Sequence, residues 1–547
     1  MTSKSQKHKH DHNCVLNMAN LTHEGRTFVD KKGRSVILHG MNLMNKRSPW
    51  YIESYYNLDG SLTQLAKDTA KLWAENGLNV ARLGFAWKAI ETSPGVYNDV
   101  YILKLREMVR LFAQYNITTF IDFHQDMWND LFCSIGDQWP DWAANTIDPA
   151  TNLPVEGCTD CSSDCPYGSP GSECYFYTGY YCNKAMQQVF DNFWHDVPSA
   201  VVGDTVGVQT RFANMIKHVA VLLKDEPYII YNPTNEPWGT KAYWNCVTAA
   251  HPEGGDPVIE YPTDSSALCQ AQIDFGQIIF KNMIDKVTDS IRSADKKHMI
   301  IFGSIFLESG SWVPNLPKPK DHNTGFANSG YGLYDGYFPY QQATNTYIDT
   351  CEALNVPHIV TEFGAGFNPP EFVIPYLNER KVSWIYWSYW NVDDAPEVET
   401  ILINNELPPT DDNLRLDQFN VVVEPYPSVV AGTINYYSYK EADGENKNGI
   451  FRFSYNKRAA SGCCNISRKC LTHIHVPKRS YPNGYNISVS GATIVSTPGS
   501  DHVLLKRNKC DSEVTVEIRP LNVQSHAVVL KPKQVMSRRQ WSPRKHD

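Results

Sequence analysis

From about Arg26 to Trp390, short runs of β-branched and aromatic residues alternate with longer stretches in which apolar positions recur at helical spacing. Ser35–Met41, Asn79–Gly84, Thr118–Phe123, Ile229–Asn232, His298–Phe302, His358–Thr361 and Ser383–Ser388 read as strands. Thr63–Asn76, Tyr101–Tyr115, Thr210–Lys224 and Ile273–Ala294 read as helices between them. With a weaker eighth strand near Gly330–Tyr334, this alternation predicts an α/β fold, a (β/α)8 TIM barrel rather than an open sheet. Neither GxGxxG nor GxxxxGK[ST] occurs to favour a nucleotide fold.

After Pro425 the period changes. Ile434–Tyr439, Gly449–Tyr455, Thr472–His475, Tyr485–Ser490, Ala492–Val495, Val503–Leu505, Val514–Ile518 and Ala527–Leu530 are short strands punctuated by turns, which predicts a C-terminal antiparallel β-sandwich. The expected organisation is a flexible segment over 1–25, a catalytic barrel over 26–430 and a sandwich over 431–530. A tail over 531–547 carries Lys531, Lys533, Arg538, Arg539, Arg544 and Lys545 and reads as solvated. An insertion over about 130–200, rich in Cys, Gly, Pro and Ser, falls on the βα-loop after the third strand, and such loops form the working face of a barrel.

Composition narrows the function classes. A chain of 547 residues that is 42% hydrophobic and 20% charged is globular, and a net charge of -9 leaves no basic field for nucleic acid. The most apolar run, Met299–Leu307, is half the length needed to span a bilayer. Trp, Tyr and Phe (14, 30 and 22) supply stacking surfaces suited to sugars or lipids. Fourteen Cys form an even set. Cys158, Cys161, Cys165, Cys174 and Cys182 cluster without the second half of a zinc ribbon; Cys246 and Cys269 follow, then Cys463, Cys464, Cys470 and Cys510, so disulfides are expected. Sequons at Asn20, Asn116, Asn465 and Asn486 agree with that reading. Met1–Asn13 holds Lys4, Lys7 and Lys9 with no apolar core behind them. The expectation is a secreted or lysosome-like, endomembrane-luminal glycoprotein whose signal peptide is absent from this sequence.

Two acidic residues carry the chemistry. Tyr231-Asn232-Pro233-Thr234-Asn235-Glu236-Pro237-Trp238 runs an apolar strand into a carboxylate, and Ile359-Val360-Thr361-Glu362-Phe363-Gly364 repeats the arrangement later. Residues at the C-terminal ends of barrel strands face the site, so Glu236 and Glu362 are aimed into one mouth. Glycoside hydrolysis needs such a pair, one protonated to donate to the leaving oxygen and one ionised to attack the anomeric carbon. The bland alternative is that each Glu is a buried structural ion-pair partner. His124 between Asp122 and Asp126 invites a metal, but no second His stands at ligand spacing and the reaction needs none, so no metal and no cofactor are expected.

Asn235-Glu236-Pro237 and Thr361-Glu362-Phe363-Gly364 resemble the acid/base and nucleophile motifs of family 5 glycoside hydrolases, retaining (β/α)8 enzymes. Gly40-Met41-Asn42-Leu43-Met44-Asn45-Lys46, Asp122-Phe123-His124-Gln125-Asp126, Glu424-Pro425-Tyr426-Pro427 with Val430-Ala431-Gly432, and Ile474-His475-Val476-Pro477 through Tyr481-Pro482-Asn483-Gly484-Tyr485 are similar to the endoglycoceramidases of that family. The resemblance covers roughly Arg26 to Leu530. It implies hydrolysis of the β-bond between oligosaccharide and ceramide in glycosphingolipids, with Glu236 as acid/base, Glu362 as nucleophile and their carboxyl groups about 5 to 5.5 Å apart. It also implies that Asn235 bonds the sugar 2-hydroxyl and that Arg82 and Tyr334 hold Glu362. By the same likeness His124, Lys46, Asp122 and Gln125 contact the first sugar, and Trp387, with Trp390 as understudy, stacks beneath it. The family usually has His two residues before the strand-six Tyr; Gly332 stands there, leaving Tyr331 or His322 to fill the space. For the lipid, Trp238, Tyr243, Trp244, Trp312, Phe326 and Phe338 are candidates to line an apolar groove.

The partner expected is therefore a glycosphingolipid, met by a monomer in transient contact with a membrane surface or micelle. Other family 5 β-glycosidases (a β-glucanase, a mannanase or a steryl-β-glucosidase) and a non-catalytic glycolipid-binding barrel stay open as alternatives.

Overall fold

The protein is described by a computed structural model over residues 18–132, 137–155, 183–249, 268–305, 315–330, 337–364, 370–390, 400–440 and 449–521. Eight parallel strands close into a barrel: β1 (His39–Leu43), β2 (Val80–Gly84), β3 (Thr118–Asp122), β4 (Ile229–Asn232), β5 (Met299–Gly303), β6 (Thr324–Ser329), β7 (His358–Glu362) and β8 (Ser383–Tyr386). Helices Gln64–Glu75, Asp99–Gln114, Val208–Leu223 and Lys281–Ala294 bury apolar faces outside it. Thr63 and Asn98 start the first two by accepting from the backbone N–H groups of Ala66 and Tyr101.

Two antiparallel sheets follow and share one core. Strands Tyr426–Val430, Thr472–His475, His502–Arg507 and Ala492–Ile494 lie in one sheet, and Thr433–Lys440, Ile450–Asn456, Glu513–Pro520 and Tyr485–Ser490 in the other. Val430, Ile474, Val503 and Leu505 from the first meet Ile434, Phe451, Phe453, Val514 and Val516 from the second.

Four expectations are corrected. The sixth barrel strand is Thr324–Ser329, not Gly330–Tyr334. Its small residues hide the β signal because the neighbouring strand comes close: a Cβ on Gly325 would stand 2.4 Å from the Pro357 carbonyl oxygen. The single strand expected over Ser35–Met41 is two, since Ser35–Val36 pairs with Val430 and Val429 in the sandwich while His39 onward joins the barrel. Thr22–Glu24, within the segment expected to be flexible, pairs with Thr27–Val29 and extends the same sandwich sheet. Tyr426–Val430, assigned to the barrel, pairs with Thr472–His475. Residues 156–182, most of the Cys-rich insertion, lie outside the described residues, as do Ala527–Leu530 and the basic tail.

The barrel interior is layered. Leu38, Val80, Phe120, Ile230, Met299, Ile301, Ile359 and Ile385 point inward and pack together with Phe28, Val36 and Val429, so the sandwich sheet seals the floor. Alternate residues Met41, Ala81, Ile121, Tyr231, Ile300, Val360 and Trp384 face the helices. Two residues further along β2, β3 and β4, on the inward side, the polar mouth begins with Arg82, Asp122 and Asn232.

The barrel–sandwich junction contains a buried acid. Asn378 donates to the Glu424 carboxylate, and the Tyr437 hydroxyl (3.0 Å) and Trp384 indole N–H (3.4 Å) donate to the Asn378 carbonyl. His39 is stacked between Trp384 and Tyr426 at 4.1 and 3.9 Å. Burial pushes the Glu424 carboxyl up to about 8 against the pull of Asn378. A carboxyl raised on folding stabilises fully below its unfolded value and loses that contribution as pH climbs through the folded one. Burial holds His39 and His475 low, so both stay neutral across this window. The thermal midpoint is expected to fall as pH rises from the ordinary glutamate range to about 8, and Glu424→Gln to flatten that slope in calorimetry over a pH series.

Candidate active site

Arg82 follows Val80 on the inward face of β2 and is 1% exposed. Its Nε donates to Asn232 Oδ1 (2.9 Å), Nη1 to Asn42 Oδ1 (3.0 Å) and to Glu362, and Nη2 to Asp122 Oδ1 (2.9 Å) and Asn235 Oδ1 (2.7 Å). A guanidinium has five N–H donors, and each is accounted for. The five acceptors come from β1, β3, β4, β7 and the turn after β4, so one cation gathers the inward polar residues of four strands.

Glu362 reaches this cation through a break in the ladder. Ile359 points in and Val360 out, so strict alternation would turn Glu362 toward the helices. The register against β6 steps from Val360 opposite Asn328 to Glu362 opposite Ser329, a bulge at Thr361 that turns the carboxylate inward. Burial pushes the Glu362 carboxyl above the usual glutamate range; Arg82, then His124, pulls against it, Asp126 adds to the rise, and Lys46 pulls down.

Glu236 lies four residues beyond β4, 5% exposed, with a backbone φ of 35°. Its charge acts on Arg82 together with that of Glu362. The turn is seated on Gly303 of β5, where a Cβ would come within 2.3 Å of the Thr234 carbonyl oxygen. Thr234, Asn235 and Glu236 line a shallow recess with Gly303, Ser304, Asn328 and Thr361.

On the third strand, Asp122 and His124 continue the inward face of Phe120. His124 Nδ1 lies 2.9 Å from Asp122 Oδ2, and Nε2 lies 3.1 Å from Asp126 Oδ2. Burial lowers the imidazole, but Asp126 and Asp122 outweigh it and carry it up to about 10, so both nitrogens hold protons and donate. Asp126 falls to about 2 because Lys46 and His124 overcome its burial. Lys46 also stands 3.7 Å from Asp137 and 4.8 Å from the Trp387 ring centroid. The acidic pair Asp126 and Asp137 beside His124 has a metal-like arrangement, and the Lys46 ammonium already supplies its positive charge.

Glu236, Glu362, Arg82, Asn235, Asp122, His124, Lys46 and Trp387 are therefore brought together. His124 differs from its expected role, since both its nitrogens bond carboxylates rather than standing open to a sugar. Trp387 is stacked against it at 5.5 Å and 13°. Gln125 also differs: it is fully buried, and its amide is spent on the carbonyls of Asn235 and Glu236. Trp390 packs edge-on against Tyr55. Tyr334, Tyr331, Gly332 and Trp312 lie outside the described residues, and His322 precedes β6, at the floor end of the barrel. Trp238, Tyr243, Trp244 and Phe326 are packed in the helix-facing core rather than along a groove. Asn42, Asn232 and Asp126 were not among the candidates; parity from Leu38 and Ile230 marks the first two as inward residues at the mouth.

Residues 29–393 match the family model described as "Cellulase (glycosyl hydrolase family 5)". The chain belongs to glycosyl hydrolase family 5. Residues 425–519 match the "Glycoside hydrolase family 5 C-terminal domain", covering the two-sheet domain. Among curated proteins, the "Endoglycoceramidase" of Hydra vulgaris is 25% identical over 91% of this chain and 89% of its own length. Among solved structures, "Endo-glycoceramidase II from Rhodococcus sp." aligns with a TM-score of 0.61 over 90% of this chain and 99% of that one, at 22% identity. A sterylglucosidase of Cryptococcus neoformans aligns over 92% and 97% with a TM-score of 0.63 at 13% identity, so the family 5 barrel-and-sandwich frame by itself does not select the lipid.

The charges around Glu362 set the direction of two pH effects. Lys46→Met removes a cation that lowers Glu362, so the acid limb of kcat/KM is expected to move to higher pH. Asp126→Asn removes an anion that raises it, and the limb is expected to move the opposite way. Both follow from kcat/KM measured across the acid range with a soluble aryl glycoside.

Proposed function

We propose that this family 5 chain is a retaining endo-β-glycosidase that cleaves the bond between oligosaccharide and ceramide in glycosphingolipids. The observation that carries it is the Arg82 guanidinium bonded at once to Glu362 and to Asn235, with Glu236 the next residue. Glu236, protonated, donates to the glycosidic oxygen as the Glu362 carboxylate attacks the anomeric carbon; ceramide leaves with the proton and a glycosyl ester remains. Glu236, now ionised, takes a proton from water, whose oxygen displaces Glu362 and frees the intact glycan in its original configuration. Arg82 keeps Glu362 anionic and aimed, with Asp122 and His124 fixing the guanidinium from behind. Lys46 and Trp387 stand where they can meet the first sugar.

The likeness to the Hydra endoglycoceramidase across both domains supports the ceramide assignment over a glucanase or a steryl-glucosidase. A bilayer or micelle surface is the natural place to meet such a substrate, and a monomer is sufficient, since the polar mouth is assembled from one chain. The Cys246–Cys269 disulfide and the exposed sequons at Asn465 and Asn486 support an oxidising, luminal or extracellular setting.

Incubation with a purified glycosphingolipid is expected to release intact oligosaccharide and ceramide, read by chromatography. Release of monosaccharide alone, or cleavage confined to soluble glucan, would overturn the ceramide assignment. Glu362→Gln is expected to lower kcat by about 10⁴-fold or more with the fold retained by circular dichroism.

A further inference from the structure

The Gln125 side chain is bonded to the turn that carries Glu236 on both sides of that residue's φ. Gln125 follows His124 beyond the end of β3 and is 0% exposed, so it has no face to offer a substrate. Its Nε2 donates to the carbonyl oxygens of Asn235 (2.7 Å) and Glu236 (3.0 Å), while its Oε1 accepts from the Trp128 N–H (3.0 Å). Its own carbonyl accepts from Asn235 Nδ2 (3.2 Å). The backbone it grips is unusual, because Glu236 has φ 35°, in the left-handed region that a residue with a long side chain rarely occupies. Such a conformation persists only where its surroundings over-determine it. Two carbonyls of successive residues, one on either side of that φ, are fixed by the two hydrogens of one planar amide.

We infer that Gln125 is a positioning residue for the general acid/base: it fixes the backbone on either side of Glu236 so that the carboxyl faces the scissile oxygen. This rests on the reading of Glu236 as acid/base given above. It assigns Gln125 to proton delivery rather than to sugar binding, and the two roles separate by substrate. A leaving group that departs as a stable anion needs no proton, so damage to the acid is hidden on it, whereas loss of a sugar contact is felt on every substrate.

The experiment compares kcat/KM, which reports formation of the glycosyl ester, for a glycosphingolipid and for the dinitrophenyl β-glycoside of the same glycan. Gln125→Met removes both donors at similar volume. It is expected to lower kcat/KM about 10- to 100-fold on the lipid and by less than about 3-fold on the dinitrophenyl glycoside. Glu236→Ala is expected to give the same asymmetry, larger, and the double variant to lose little beyond Glu236→Ala alone. Equal losses on both substrates would overturn the inference in favour of a sugar contact or general damage. Should Gln125→Met not fold, Gln125→Glu keeps the shape while replacing the amide nitrogen with oxygen, and the same ratio decides. If Glu236→Ala itself shows no asymmetry, the acid/base assignment fails, and that is read from the Glu236 variant independently of Gln125.

Discussion

A single buried guanidinium sets the order of the barrel mouth. Arg82 is out of water, and a cation so placed is tolerable only when its donors are matched by charge and hydrogen bonds. Its partners are two carboxylates, Glu362 and Asp122, and three amide oxygens, those of Asn42, Asn232 and Asn235. Removing either carboxylate would leave buried charge uncompensated, a loss of about 3 to 5 kcal/mol for a broken buried pair. The cost enforces geometry, because four strands and a turn must hold their register to keep the five bonds. Glu362 and the turn that carries Glu236 are thereby referred to one rigid object.

Around that cation the charges alternate. Glu362, Arg82, Asp122, His124, Asp126 and Lys46 succeed one another, each bonded to the next. His124 is a fixed cation in this row, raised to about 10 by its two aspartates, and so behaves as a structural charge rather than a shuttle near neutral pH. Lys46 ends the row over the ring of Trp387. Lys46, Asp126 and His124 each act on the Glu362 carboxyl by charge, the two cations lowering it and the aspartate raising it. Low local dielectric makes such a row stiff, since no member can shift its charge without moving its neighbours.

Most of this was legible in the sequence where the local pattern and the tertiary demand agree. The strand ending at Asn232, and the alternation Val80-Arg82 and Phe120-Asp122-His124, carry a plain period of two that points polar residues at the mouth. It failed where a neighbour overrode the period. Gly325 in β6 is dictated by the Pro357 carbonyl, which weakens the β signature of that strand. The bulge at Thr361 reverses the parity that local alternation would give Glu362. The family likeness marks Gln125 as a sugar ligand, yet its direction is set by two carbonyls 110 and 111 residues away. The N-terminal strands escaped because Thr22–Glu24 is three residues long and earns its place only by pairing.

The sandwich bears on the mouth from the far end. Ile37 belongs to the sandwich core, Leu38 to the barrel floor and Met41 to the helix-facing core, so five residues of chain fasten three packed layers together. Phe28, Val36 and Val429 close the floor against Val80, Phe120, Ile230 and Ile359. Each such apolar side chain, fully buried, contributes about 1.5 to 3 kcal/mol. The residues they press upon lie two positions below Arg82, Asp122 and Asn232 on the same inward face. A strand fixed at its apolar end and slack at its polar end would let the guanidinium wander; a floor packed on both sides leaves it one position. The C-terminal sheets, far from any reacting atom, thus help hold the register that the mouth depends on.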